Sequence, residues 1–256
     1  MSRIRIYVEP QKIADFIKIK EMGVVHKLKN VLRLSEGDEV FVFNGQGKEY
    51  STQIKYLQND SITLRLGAVT LEVAPRAWEV DLIFPLSREE KVDFILQKAV
   101  ELGVSNLIPF VPARGIKIVP SSAKLERWNN IVKEAVRQSQ RLWFPKLFNP
   151  VSLDSIITQD YDCKILADVS GVCLEEVLNT AFKRVLLIVG PEGDFSNEEK
   201  ESLRASGFKF VNIGENVLRF ETAAIFLTGL SSHILHKLHA RWIYHFRLID
   251  GYIFML

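Results

Sequence analysis

"LLIVGPEGDFSNEE", residues 186–199, changes character twice within fourteen positions. Leu186 to Val189 form an unbroken apolar run, the pattern of a strand buried on both faces of a parallel sheet. Gly190, Pro191, Glu192 and Gly193 break it, and Ser196 with Glu199 three positions on is a capping-box pattern that starts a helix. In open α/β sheets ligands bind beyond the carboxyl ends of strands, and this turn is such an end. Its glycines offer positive φ or room for close approach of a ligand. An ordinary strand-to-helix loop would use the same residues. The turn is neither a dinucleotide fingerprint nor a phosphate loop, because GxGxxG is absent and no Gly-Lys-Ser/Thr follows.

A second strand end repeats the plan. "FVNIGENVLRFETAA", residues 210–224, reads as strand, Gly214, a short irregular piece, then helix. Arg219, Glu221 and Thr222 crowd the helix start. A helix N-terminus favours the charge of Glu221 and not that of Arg219. The arginine therefore serves either an ion pair with Glu221 or Glu192, or an anionic group of a substrate.

Outward from these two turns, residues from about 75 to 238 alternate strand and helix. "EVDLIFP", "VSNLIPF", "CKILAD", "RVLLIV" and "FKFVNI" are strands, and "REEKVDFILQKAVEL" is a helix with Val92, Ile95, Leu96, Ala99 and Leu102 on one face and Gly103 as its C-terminal cap. "AKLERWNNIVKEAVRQSQR" is a helix with Leu125, Trp128, Val132, Ala135 and Ser139 inward. The alternation predicts a mainly parallel α/β sheet. The first seventy residues differ: "DEVFVFN" sets Val40 and Val42 against Phe41 and Phe43, "NGQG" is a hairpin turn, "EYSTQIKY" and "SITLRL" continue a meander, and "HKLKNVLRL" is one short helix. So many short strands predict a small barrel. The composition shifts near "EVAPRAW", residues 72–78.

The chain has 256 residues, 47% of them hydrophobic, enough for a substantial core, and a net charge of only +2. The charge is unevenly spread. Residues 1–33 carry a local excess of five positive charges and residues 113–146 an excess of six. Two basic zones on a near-neutral chain point to a polyanionic partner, although solvated helix faces have the same composition. Cys163 and Cys173 are the only cysteines, ten apart with no CxxC and no nearby histidine, which excludes a disulfide framework and a zinc site; no metal is expected. The N-terminus has no apolar signal core, and the longest uncharged run, Thr222 to His236, is short for a membrane span and holds two histidines. A soluble cytoplasmic protein without a membrane partner is the expectation.

"VGPEGDFSNEE" followed by "IGENVLRFETAA" resembles the paired signature of the RsmE family, bacterial 16S ribosomal RNA (uridine-N3) methyltransferases of the knotted SPOUT class. "RIRIYVEP" and "HKLKNVLRLSEGDEVFVFNGQGKEY" are similar to the family's amino-terminal strand and its PUA-like barrel, and "PLSREEKVDFILQKAVELGVSNLIPF" and "RWNNIVKEAVRQSQR" to the start of its catalytic domain. The resemblance spans about residues 3–236 and departs at Asp194, where the family has a second glycine, at Glu215 and Asn216, where it has Pro-Arg, and at Phe220, where it has threonine. "KLHARWIYHFRLIDGYIFML" has no counterpart in it.

The resemblance implies an α/β fold: a PUA-like RNA-binding β-barrel over residues 1–72, a SPOUT methyltransferase domain over 73–238 closed by a C-terminal trefoil knot, and an atypical tail over 239–256. It implies S-adenosylmethionine as cofactor, 16S ribosomal RNA within the small ribosomal subunit as partner, and a homodimer. The cofactor would lie against Leu187, Val189, Gly190, Pro191, Glu192, Gly193, Ile213, Gly214, Val217, Leu218 and Thr222. Arg219 would be the catalytic cation, with Glu192 or Glu221 as proton acceptor or as the partner that positions it. Arg3, Arg5, His26, Lys27, Lys29, Arg33, Lys133, Arg137 and Arg141 would hold RNA. Two other readings fit the same residues: a related knotted enzyme acting on another RNA or on a ribose 2′-oxygen, and a non-catalytic RNA-binding relative.

Overall fold

The computed structural model describes residues 3–112, 120–179 and 181–249, with the backbone alone for 241–249. Arg114 and Lys117 of the second basic zone, and the side chains from Trp242 to Met255 of the expected tail, lie outside the described residues. The chain forms two compact units, Met1–Pro75 with Val136–Phe144, and Arg76–Ala135 with Pro145–Leu256.

In the first unit β1 (Arg5–Tyr7), β2 (Phe16–Ile19), β3 (Glu39–Phe43), β4 (Lys48–Leu57) and β5 (Ile62–Glu72) form one sheet in the order β1-β3-β4-β5-β2. β1 runs parallel to β3 and the remaining pairs are antiparallel. Alternation places Val40, Val42, Ile54, Ile62 and Leu64 in the core with Val25 and Leu28. Phe43 breaks the alternation: it is buried as well, because its ring packs with those of Tyr7 and Phe144 beneath the Arg5 guanidinium. The turn after β3 is fixed by Asn44, whose side-chain carbonyl accepts from the N–H groups of Gln46 and Lys48. The short helix expected over residues 26–34 is displaced toward the N-terminus: α1 spans Met22–His26 and runs on as a five-residue π turn, Lys27–Val31.

The second unit carries β6 (Glu79–Pro85), α2 (Glu89–Glu101), β7 (Asn106–Phe110), α3 (Ser122–Gln138, its last three residues counted with the first unit), β8 (Lys146–Leu147), α4 (Leu153–Ile157), β9 (Cys163–Cys173), α5 (Leu174–Val177), β10 (Arg184–Ile188), α6 (Asn197–Ala205), β11 (Phe208–Asn212) and α7 (Phe220–Ile249). All strand pairs are parallel, in the order β11-β9-β10-β6-β7-β8. The apolar runs are buried throughout because both faces of the sheet are covered. On one face Leu186, Ile188, Ile83, Ile108, Leu166, Phe195 and Leu203 form a single cluster. Val92, Ile95, Leu96 and Ala99 of α2 are fully buried, as the spacing predicts. Leu102 is not: it is the residue after the last helical turn, and it is 37% exposed. The expected start of a tail at residue 239 falls inside α7, which crosses that point unbroken.

Candidate active site

Three strands deliver their carboxyl ends to one place, and another delivers a mid-strand bulge. β10 ends at Ile188, and Val189 leads into the Gly190–Gly193 turn before α6. The capping box is present in both directions: the Ser196 hydroxyl accepts from Glu199 N–H, and the Glu199 carboxylate accepts from Ser196 N–H at 2.7 Å. β11 ends at Asn212, and residues 213–219 form the irregular piece before α7. Between these two strands lies β9, whose pairing with β11 jumps from Leu166↔Phe210 to Val172↔Val211. Residues 167–171 therefore bulge out of the ladder. Gly171 makes this possible, since a Cβ there would lie 2.4 Å from the backbone of Phe210 and Val211. β6 is the fourth strand, and the loop after it leads to Lys91 on the first turn of α2.

Together these segments enclose a cavity of about 360 Å³, within the range of small-molecule sites. Val189, Ile213, Val217 and Leu218 supply apolar wall, and Val217 is 86% exposed at its lip. Neither Gly190 nor Gly214 has a positive φ; the left-handed residue of the turn is Asp194, at φ 58°. The expectation that the glycines satisfy backbone strain is corrected. At Gly214 the absent side chain leaves open space, with nothing within 4 Å of a would-be Cβ, which suits a ligand approaching the main chain.

The charged groups sort into two lysine-centred sets. Lys91 Nζ donates to Glu192 Oε1 at 2.5 Å, lies 3.4 Å from Glu221 Oε2 and sits 4.9 Å from the centre of the Phe220 ring. Lys200 Nζ donates to Asp168 Oδ2 at 2.8 Å and to Asp194 Oδ2 at 2.6 Å. Burial pushes the Asp168 carboxyl up, but hydrogen bonds from Lys200 and Ser170 outweigh it and bring the group down to about 2. The Lys91 hydrogen bond holds Glu192 below the usual carboxylate range. Glu221 is buried, and its Oε2 accepts no hydrogen bond; the Lys91 contact is a long ion pair. Arg219 lines the same cavity, is exposed, and has no side-chain ion pair or hydrogen bond among the described residues. Of the two purposes the sequence left open for it, the ion pair with Glu192 or Glu221 is not formed.

Residues 74–232 match the family of RNA methyltransferase domains and residues 25–67 the family of RNA methyltransferase PUA domains. The chain belongs to the RsmE family of RNA methyltransferases. It is 29% identical to the ribosomal RNA small subunit methyltransferase E of Bacillus subtilis over 91% of this chain and 96% of that one, and 29% identical to that of Synechocystis over 86% and 74%. A methyltransferase of Legionella pneumophila solved with its cofactor SAM superposes with a TM-score of 0.82 at 27% identity, covering 91% of this chain and 98% of that one.

In this RsmE-family chain Val189, Gly190, Pro191, Glu192, Ile213, Gly214, Val217, Leu218, Arg219 and Glu221 all line the cavity. Leu187, Gly193 and Thr222 do not. Leu187 lies within β10 and is fully buried, Gly193 faces open space, and Thr222 is on the exposed side of α7. Lys91, Asp168, Asp194 and Asn212 line it without having been expected. Asp168 had a signal, since it ends the apolar run "CKILAD" and strand ends are where ligands bind.

The residues expected to hold RNA divide. Among those of the first unit His26 and Arg33 are exposed, while Lys27 and Lys29 are half-exposed, with Lys29 donating to Asn59 at 2.8 Å. Arg3 pairs with Glu49 and covers the Phe41 ring. Arg5 is 7% exposed, and its Nε pairs with the buried Glu49 carboxylate at 2.5 Å. It is a core ion pair with no face for a phosphate, so its expected role is withdrawn. Lys133 is exposed on α3, and Arg137 and Arg141 are half-exposed.

Proposed function

We propose that this chain transfers a methyl group from S-adenosylmethionine to N3 of a uridine in the 16S ribosomal RNA of the small ribosomal subunit. The family and the names of its relatives support the reaction class, and one observation carries the site: Arg219 is an uncommitted cation on the wall of a cavity where lysines hold Asp168, Asp194 and Glu192 and lie at 3.4 Å from Glu221. The bound cofactor supplies an activated methyl group. This chain's residues have three tasks.

The first is placement. The loops at 189–192 and 213–218 offer main-chain groups and apolar wall to the adenosyl moiety. The second is access. N3 is on the Watson–Crick edge, so the base must be unpaired and turned into the cavity. The third is charge. As the N3 proton leaves, negative charge spreads to the two flanking uracil oxygens, and a fixed guanidinium stabilises that state more than the neutral base. Arg219 takes this role. Glu192, held in its charged form by Lys91, is a poor base, so Glu221 with its unsatisfied oxygen is the better proton acceptor. A homodimer, a knotted C-terminal segment and a cytoplasmic location follow from the family reading. Among the described residues no helix is long and apolar enough to cross a membrane.

The test is mass spectrometry of nucleosides from 16S ribosomal RNA of a deletion strain. Loss of 3-methyluridine, restored by the parent gene and not by Arg219→Ala, is expected. Loss of a 2′-O-methyl nucleoside instead, or no change, would replace this reading with one of the two alternatives.

A further inference from the structure

Four carboxylates line the cavity, Asp168, Glu192, Asp194 and Glu221, against two cations among the described lining residues, Lys91 and Arg219. Lys200 takes Asp168 and Asp194. The other two belong to different segments, Glu192 to the turn after β10 and Glu221 to the first turn of α7, and the single ammonium that reaches both is Lys91. Its surroundings leave it little else to do: one N–H points at Glu192, Glu221 lies on a second side, and the Phe220 ring takes a third as a cation–π contact. Arg219 is adjacent to Phe220 in sequence and is the other cation among the described residues that line the cavity.

We infer that Lys91 is a positioning residue: by occupying Glu192 and Glu221 it keeps the Arg219 guanidinium from being captured by them and leaves it facing the substrate. This rests on the role given to Arg219 above. The ammonium also ties the β10–α6 turn to the start of α7, so the two cofactor loops keep their spacing.

The experiment compares Lys91→Met, Lys91→Gln, Lys91→Arg and the double variant Lys91→Met/Glu192→Gln with the parent. Two readouts are used. The first is the single-turnover methylation rate at saturating 16S ribosomal RNA and cofactor. Lys91→Met and Lys91→Gln should lose roughly 10- to 100-fold, as a displaced catalytic group does, with melting temperature and cofactor affinity near those of the parent. Lys91→Arg should stay close to the parent, and Lys91→Met/Glu192→Gln should regain several-fold over Lys91→Met, since one of the two captor carboxylates is gone. The second readout needs no activity: the rate at which phenylglyoxal modifies Arg219, followed by peptide mass spectrometry. It should fall in Lys91→Met and Lys91→Gln and recover in the double variant. An unchanged methylation rate, a double variant no faster than Lys91→Met, or unchanged Arg219 reactivity would overturn the inference. If the parent makes no 3-methyluridine while Arg219 reactivity still falls and recovers as described, the reaction reading fails and the role of Lys91 stands.

Discussion

Asp194 shows how one residue can take over a glycine's conformation. At φ 58° it lies in the left-handed region, which costs a residue with a Cβ about 1 kcal/mol and which Asp tolerates better than most. Its carboxylate offsets the cost locally: Oδ1 accepts from the N–H of Phe195 at 2.7 Å and Oδ2 from Lys200. The same side chain makes Gly190 a poor position for probing the cavity, because a Cβ on Gly190 would meet Asp194 Oδ1 at 2.9 Å and disturb the turn itself. Gly214 is the cleaner position. Its Cβ would meet nothing within 4 Å, so Gly214→Val should fold as the parent does. By filling the space proposed for the adenosyl group it should weaken S-adenosylmethionine binding more than about tenfold, ~1.4 kcal/mol. Calorimetric titration alongside thermal melting checks this; unchanged affinity in a folded protein would move the cofactor elsewhere.

The bulged β9 and α6 are joined by Lys200, and this tie has a pH signature. Asp168 titrates at about 2 in the folded protein against 3.8 for the ordinary group. A depressed folded value means stability that is fully present above about pH 4 and lost as pH falls through 2. The Asp168 side chain is 6% exposed, so the contribution is not dissipated by solvent and amounts to about 2 kcal/mol. Lys200→Met should lower stability at pH 7 and flatten its dependence between pH 4 and 2, measured by urea unfolding at several pH values. A Lys200→Met curve parallel to that of the parent would show that the tie carries no such energy. The elements themselves were legible: Val185 to Val189 are buried because a parallel sheet covers both faces, and Ser196 with Glu199 caps α6 through local bonds that sequence alone specifies. Lys91 was not legible. In "REEKVDF" it is one charge among several on the outer face of a helix, and it lies 101 positions from Glu192. Only the pairing of β10 with β6 brings the two together. The bulge of β9 was hidden for the same reason: Gly171 permits it, but its place is set by the register against β11.

Taken whole, the proposed function puts reaction and RNA grip on different residues, and the two should respond to different measurements. Lys27→Ala/Arg33→Ala removes two surface cations of the first unit, neither within the cavity. Each phosphate contact contributes roughly one unit to the slope of log affinity against log salt. The double variant should therefore bind RNA more weakly with a slope shallower by about two, and still methylate at the parent rate once RNA saturates. A saturated rate that falls with the affinity would place these residues in the reaction. Arg5 shows why a basic composition overstates such a surface: the charge was visible in sequence, but the burial of Glu49 beneath it was not. The first unit is also discontinuous. Trp143 donates its indole N–H to the Val73 carbonyl at 2.9 Å, Phe144 packs at a tilt against Tyr7 with ring centres 4.4 Å apart, and Gly47 N–H donates to the Leu142 carbonyl at 2.9 Å. A barrel whose rim is completed by residues nearly seventy positions downstream of its last strand is not an inheritable cassette. A recombination that carried only the first seventy-five codons into another gene would deliver a sheet without Trp143 and Phe144, so this unit travels whole only together with β6, α2, β7 and most of α3, which lie between its two pieces.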